Sequence, residues 1–447
     1  MRQNRPIFRA PIFTHEGGAA RHISPIQQLR RSVLSCLLWE REFYESGVTI
    51  AERIMTTAAQ VEPALVAALA IEARTQFHLR HVPLLLLCVL QRTAPKLVAA
   101  TVAQAIQRAD EPAELFAVYR NFPGNGRNIP RQMRIGVAKA LTKFDAYQLG
   151  KYNRDGAFSL RDVFRIARPK PFNDDQRALW NQVVKGTLAS PDTWEVALSA
   201  GADKGETFSR LLREGNLGYF ALLRNLRNMD KAGVDHDLIR DAIMMRQNGA
   251  DRILPFRFIA AARAAPVFEL ELDSAMVAGL GNLPQLDGTT AILVDVSGSM
   301  SSKLSAKSDL TRMDAAAALA SIFPGRVRLF SFSNYVHEVP PRKGMAGVDA
   351  ILRSQAHGGT MLGYAVQAVN NEIAHDRMIV ITDEQAHDSV PANVRRSYMI
   401  NVASAKNGVG YGAWTHIDGF SENVIRFIAE AEASASLGED RPMDPRG

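Results

Sequence analysis

Cysteine is almost missing from this chain. Its 447 residues hold two, Cys36 and Cys88, each inside an apolar helical stretch. No CxxC and no Cys/His spacing occurs, which argues against a zinc site, and the two thiols read as buried groups in a reducing compartment. Aromatic residues are also sparse, at 7%. No RRM-like or KH-like signature appears, so sequence-specific base readout on an aromatic sheet is not expected. The longest apolar stretch, Val82 to Leu90, falls far short of the roughly 20 residues that a membrane-spanning helix needs. Arg2, Arg5 and Arg9 are followed by no apolar core segment, so they do not read as a secretory leader. The expectation is a cytoplasmic protein with no membrane partner.

What is present is ordinary for a folded protein: 47% hydrophobic and 22% charged residues. The length suggests two or three domains rather than one core. Net charge is +7, and it is unevenly placed. Residues 1–290 carry 38 Lys and Arg against 29 Asp and Glu (+9), whereas 291–447 carry 15 against 17 (−2). A basic half of this kind suggests an anionic partner, nucleic acid first, with a mildly basic soluble surface as the plainer alternative.

The basic half has a helical pattern. Ser24-Pro25 reads as a helix start, followed by apolar residues at Ile26, Leu29, Val33, Cys36 and Leu37, close to a 3.6 period. Glu62-Pro63, His81-Val82-Pro83 and Asp110-Glu111-Pro112 open further helices. Proline near the start of successive short helices suggests stacked helical pairs, a degenerate HEAT-like array without a strict period. The texture changes at 281–288. From there, apolar strands (Ala291–Val294, Met378–Ile381 and Ser397–Ala403, with an alternating one over Arg326–Ser333) alternate with helices over Arg312–Phe323, Gly363–Ile373 and Glu422–Ala433. That alternation predicts a parallel α/β sheet with crossovers. The domains are expected at 1–288 and 289–440, with the last eight or so residues loose.

Asp295-Val-Ser297-Gly-Ser299 follows the first strand directly, and ligands of open α/β sheets bind at strand carboxyl ends. One carboxylate and two hydroxyls at alternate positions are hard oxygen donors of the kind Mg²⁺ or Mn²⁺ prefers. Gly358-Gly359-Thr360 supplies another hydroxyl, and Thr382-Asp383 a second carboxylate. Asp295, Ser297, Ser299, Thr360 and Asp383 match, in order, the five ligand positions of a metal-ion-dependent adhesion site, so this part resembles a von Willebrand A-type domain. Such a site usually binds a partner's acidic group. His357 and His387, the nearest histidines, read as loop residues rather than bases, and without a nucleophile–base pair the chain is not expected to be an enzyme.

A basic helical region followed by such a domain resembles the TROVE family, the Ro autoantigen proteins and their bacterial relatives. The stretches carrying the resemblance are 34–47, 141–152, 160–171, 221–229 and 253–258. The resemblance implies a helical-repeat ring closed by the A-type domain, most simply a monomeric ring. Single-stranded 3′ ends of misfolded RNA would enter its hole, and structured Y-like RNA would bind the basic outer surface. RNA would then pass to a separate exoribonuclease such as polynucleotide phosphorylase. Where the family often has His-Pro-Lys-Pro, this sequence has Arg168-Pro169-Lys170-Pro171, which keeps a donor and makes the charge permanent. Met361 stands where some relatives carry an acidic residue, but it is not a ligand position.

Two basic clusters are the candidate RNA contacts. Arg127, Arg131, Arg134, Lys139 and Lys143 lie on and before one helix, with Lys139 and Lys143 expected on one face. Arg161, Arg165, Arg168 and Lys170 form the second. A solvated helix face is the plainer reading of each. Arg224 and Arg227 are weaker candidates for RNA contact: their helix is apolar at Leu222, Leu223 and Leu226, and flanking a core is the plainer reading. Two other functions remain open on the sequence: a Mg²⁺-dependent scaffold binding an acidic partner, and a metal-dependent enzyme.

Overall fold

The computed structural model describes residues 12–432, apart from 15–16, 21–23, 35–46, 123, 154–155, 200, 251–252, 280–282, 305–308, 392–394, 404, 406, 411, 413, 420–423, 426 and 430. Cys36, most of the 34–47 stretch, the start of the closing helix and the last residues lie outside the described part. So do Arg2, Arg5 and Arg9.

A small hairpin, β1 (Ile12–Phe13) and β2 (Ala19–Ala20), comes first. Then follow α1 (Pro25–Leu34), α2 (Gly47–Ala58), α3 (Pro63–Thr75), α4 (His81–Thr93), α5 (Pro95–Ala105) and α6 (Glu111–Asn121). Next come α7 (Arg131–Leu141), α8 (Ala146–Lys151), α9 (Leu160–Ala167), α10 (Asp174–Lys185) and α11 (Trp194–Ser199). The run ends with α12 (Lys204–Arg213), α13 (Tyr219–Lys231), α14 (His236–Met245), α15 (Pro255–Ala264) and α16 (Glu269–Ala278). The starts are where the sequence puts them. Ser24 and Gln27 bond reciprocally ahead of α1, and α3, α5, α6 and α15 begin at or next to proline, where a missing N–H costs nothing. Val82 through Leu90 of α4 are all buried, so this helix is apolar all round because it is a core helix. Each of its leucines contributes about 1.5–3 kcal/mol of burial.

The second part holds β3 (Thr289–Asp295), α17 (Arg312–Ser321), β4 (Arg326–Phe332), β5 (Val336–Val339), α18 (Gly344–Leu352), α19 (Leu362–Glu372), β6 (Arg377–Thr382), β7 (Arg396–Asn401) and β8 (Thr415–Asp418). The sheet order is β5-β4-β3-β6-β7-β8. β3, β4, β6, β7 and β8 are parallel, but β5 pairs antiparallel with β4 at one edge. The parallel α/β sheet expected from sequence is present, with β5 added antiparallel at one edge. β5 is short and mostly exposed, so it carries no apolar run to announce it. The chain moves outward from β3 through β4 and β5, then returns to β6. The direction reverses between β3 and β6, and the crevice at their carboxyl ends is the switch point where α/β sheets bind ligands.

Helices α1–α10 share one core. The later helices share theirs with one face of the sheet: Phe256, Phe268 and Leu272 pack in the same cluster as Ile292, Leu319 and Ile381. Arg263 of α15 makes a two-pronged pair with Asp314 of α17 (2.6 and 3.1 Å). Asp273 of α16 accepts from the amide of Met345 (2.7 Å). At the other end of the array, α1 packs against β8. The α/β part thus touches both ends of the helical run and closes the chain on itself.

Candidate functional site

Asp295 ends β3, and Asp383 follows β6, its neighbour in the sheet. Ser297 and Ser299 lie on the turn after β3, and Thr360 on the loop before α19. All five predicted donors are buried: Asp295 and Asp383 are 0% exposed, Ser297 1%, Thr360 2% and Ser299 5%. Asp295 Oδ1 accepts from the Ser297 amide (2.9 Å) and Oδ2 from the Thr382 hydroxyl (2.5 Å). The two serine hydroxyls are 3.3 Å apart. Loops around them are tied by Gly298 N donating to Gly358 O (2.9 Å) and Gly358 N to Ser333 Oγ (2.7 Å). A side chain at Gly358 would meet the Asn334 amide and would have to displace it from its place beside Gly359, whose N–H donates to Asn334 Oδ1 (2.9 Å).

Burial, and then the charge of Asp383, pushes the Asp295 carboxyl up to about 7. Asp383 Oδ1 accepts from the Gln385 amide (3.1 Å), but its Oδ2 is buried without a hydrogen-bond partner. Two buried carboxylates and an orphaned oxygen are costly as they stand. A hard cation bound among these carboxylate and hydroxyl oxygens would relieve both, so the residues fit a divalent metal. The histidines serve the loops. His357 Nδ1 is 2.8 Å from Val296 O, and His387 Nδ1 accepts from the Thr360 amide (3.0 Å).

The second candidate site is an opening of about 770 Å³ within the helical array. It is lined by residues from distant points of the chain, including Arg80, Arg108, Tyr152, Phe220, Arg224 and Arg257. Sequence reasoning missed five of these and ranked Arg224 only as a weaker candidate. One local signal was available: Phe220 and Arg224 are four apart on α13 and so share a face.

None of the nine predicted RNA residues lines the opening. Arg127, Arg131, Arg134, Lys139, Lys143, Arg161, Arg165, Arg168 and Lys170 are all exposed. The first cluster lies on and around α7, the second on and after α9, and these two helices are packed neighbours. One detail departs from expectation. α7 ends at Leu141, so Lys143 does not continue its face. Its ammonium donates instead to Ile106 O (2.8 Å), and burial, only partly offset by Glu111, lowers its pKa. Arg168 caps α9 in the left-handed conformation (φ 49°).

Known proteins share this architecture. The family model described as TROVE domain matches residues 34–187 and 172–286, and that described as von Willebrand factor type A domain matches 290–385. Telomerase protein component 1 of Mus musculus is 32% identical over 91 residues, which is 20% of this chain and 4% of that protein. Its Rattus norvegicus counterpart is 31% identical with the same coverage. The chain thus spans only a small fraction of these relatives. The crystal structure of the Deinococcus radiodurans Ro (Rsr) protein superposes with a TM-score of 0.60 over 92% of this chain and 100% of that one, at 18% identity, a likeness of fold. No helix among the described residues is long and apolar enough to cross a membrane. With the TROVE model covering more than half of the chain and an A-type domain behind it, the chain belongs to the TROVE family, generally a family of RNA-binding proteins, and is Ro-like in fold.

Proposed function

We propose that this protein binds RNA in noncoding-RNA quality control, taking single-stranded 3′ ends of misfolded RNA into the central opening and Y-like RNA on the outer surface of α7 and α9. The observation that carries this reading is the opening itself, a cavity lined by cations and aromatic rings, the chemistry that tracks a single-stranded backbone and stacks its bases. The exposed cations of α7 and α9 suit a structured RNA backbone. The protein acts as a monomeric ring in the cytoplasm, by binding rather than by chemistry, and passes RNA to an exoribonuclease such as polynucleotide phosphorylase. The buried thiol of Cys88 accords with a reducing compartment.

A second role is supported by the orphaned Asp383 oxygen. Asp295, Ser297, Ser299, Thr360 and Asp383 would hold Mg²⁺ or Mn²⁺, and the metal, when bound, supplies an open position for a partner's acidic group. This role and RNA binding are compatible. The test is fluorescence anisotropy of a duplex with a single-stranded 3′ tail against the same duplex blunt, at two salt concentrations. Salt-sensitive preference for the tail is expected. Equal or absent binding would refute the reading of the opening.

A further inference from the structure

The walls of the opening differ in net charge. On the side formed around α4 and α6, cations are neutralised: Arg80 lies 3.0 Å from Asp110 and 2.5 Å from Glu114, and Arg108 lies 2.8 Å from Asp110. On the α8–α11 side, Lys151 and Glu195 line the same space, and the Lys151 ammonium lies 5.8 Å from the centre of the Tyr147 ring and 6.0 Å from that of Tyr152. On the third side, Arg224 of α13 and Arg257 of α15 are exposed and pair with no carboxylate among the described residues. The Arg257 guanidinium lies 5.4 Å from the centre of the Phe220 ring and 4.9 Å from that of Phe256, and Arg224 lies 5.7 Å from Phe220. Phe220 itself is 41% exposed. Desolvation by the surrounding protein, then the charge of Arg224, lowers the pKa of Arg257.

We propose that Arg224 and Arg257 grip a backbone phosphate of the entering strand and that Phe220 offers its ring to the adjoining base, while the opposite walls only bound the strand. This rests on the reading that the opening receives a single strand. The reason is electrostatic. Two neighbouring cations without a counterion repel, and an anion between them removes the repulsion. Guanidinium forks also match phosphate oxygens. A phosphate near Arg80 or Arg108 would instead meet Asp110 and Glu114, which have already taken those charges.

The test uses the full chain and the tailed and blunt duplexes. The double variant Arg224→Gln with Arg257→Gln is expected to bind the tailed RNA about 10- to 100-fold more weakly. Its log–log salt slope should flatten by about 0.7, the value for one phosphate on a single strand. Phe220→Leu should lose about tenfold on a tail with bases and nothing further on an all-abasic tail. Arg108→Gln with Asp110→Asn, which keeps the net charge, should lose less than about twofold, since it removes no unpaired cation. Circular dichroism and thermal unfolding check that each variant folds. If the wild type prefers the tail but the Arg224/Arg257 variant binds as it does, or the Arg108/Asp110 variant loses as much, the proposal is overturned. If the wild type shows no tail preference, the reading of the opening fails and the proposal with it.

Discussion

Replacing Arg31 with Met should open the seam between the first helix and the α/β part. Arg31 is 0% exposed. It pairs with the fully buried Glu384 and donates to the carbonyls of Ala405 (2.7 Å) and Asn407 (3.0 Å). Glu384 also faces His416 (2.7 Å), which in turn lies 3.6 Å from Asp418. Burial alone would raise the Glu384 carboxyl, but His416 and Arg31 outweigh it and hold it at about 2. Removing one partner of a buried ion pair costs about 3–5 kcal/mol, because the other charge is left uncompensated. His416 remains beside Glu384, so the lower figure applies. About 3 kcal/mol of lost local stability corresponds to on the order of a hundredfold faster amide exchange, if exchange proceeds by seam opening. The assay is native-state hydrogen exchange resolved to α1 and β8, since a chain of this size need not unfold in two states. Adding Glu384→Gln should restore most of the protection, because a neutral amide can stay buried where an unpaired carboxylate cannot. A change below about threefold in Arg31→Met would refute the idea that this ion network carries the seam.

Four further outcomes follow from the same structure. Asp383→Asn should stabilise the metal-free protein by relieving repulsion with Asp295, and should abolish any rise in melting temperature on adding Mg²⁺ or Mn²⁺; in wild type that rise should reflect about 2.7 kcal/mol at a hundred times the dissociation constant. Neutralising Arg131, Arg134, Lys139 and Arg165 should weaken structured-RNA binding in gel shifts and flatten its salt slope by about 0.7–0.9 per lost contact, whereas Lys143, occupied by Ile106, should matter less. The seam should also respond to pH in two directions. Burial lowers the His416 pKa, but Glu384 and Asp418 raise it further, so its contribution is full below its unfolded value and fades as pH rises through the raised one. The Glu384 contribution is full above its ordinary value and is lost only as pH falls towards about 2. Exchange protection of α1 should therefore fall at both extremes. Finally, burial raises the Cys88 thiol far above its ordinary range, so in a Cys36→Ser background it should resist alkylation at pH 8 until denaturant is added.

Much of this was legible in the residues. Helix starts need only a capping side chain or a proline, and buried strands need only an apolar run, so α1, α3, α4, α6, β3 and β6 could be placed by eye. The five oxygen donors could be picked out because each sits at the end of a recognisable element. β5 and β8 were missed because each is four residues long, and α18 because Gly344 and Gly347 obscure its helical pattern.

The sequence by itself determined the two-part architecture, the basic character of the helical part and the set of hard oxygen donors, since these depend on local periodicity, charge counts and motif order. Only the tertiary structure decided which cations are free to meet an anion. Arg80 and Arg224 look alike along the chain. One is matched with carboxylates 30 and 34 residues away, and the other faces an open wall. A charge's partner is set by what folding brings within about 4 Å, where Coulomb energy is largest, and no local pattern encodes that distance.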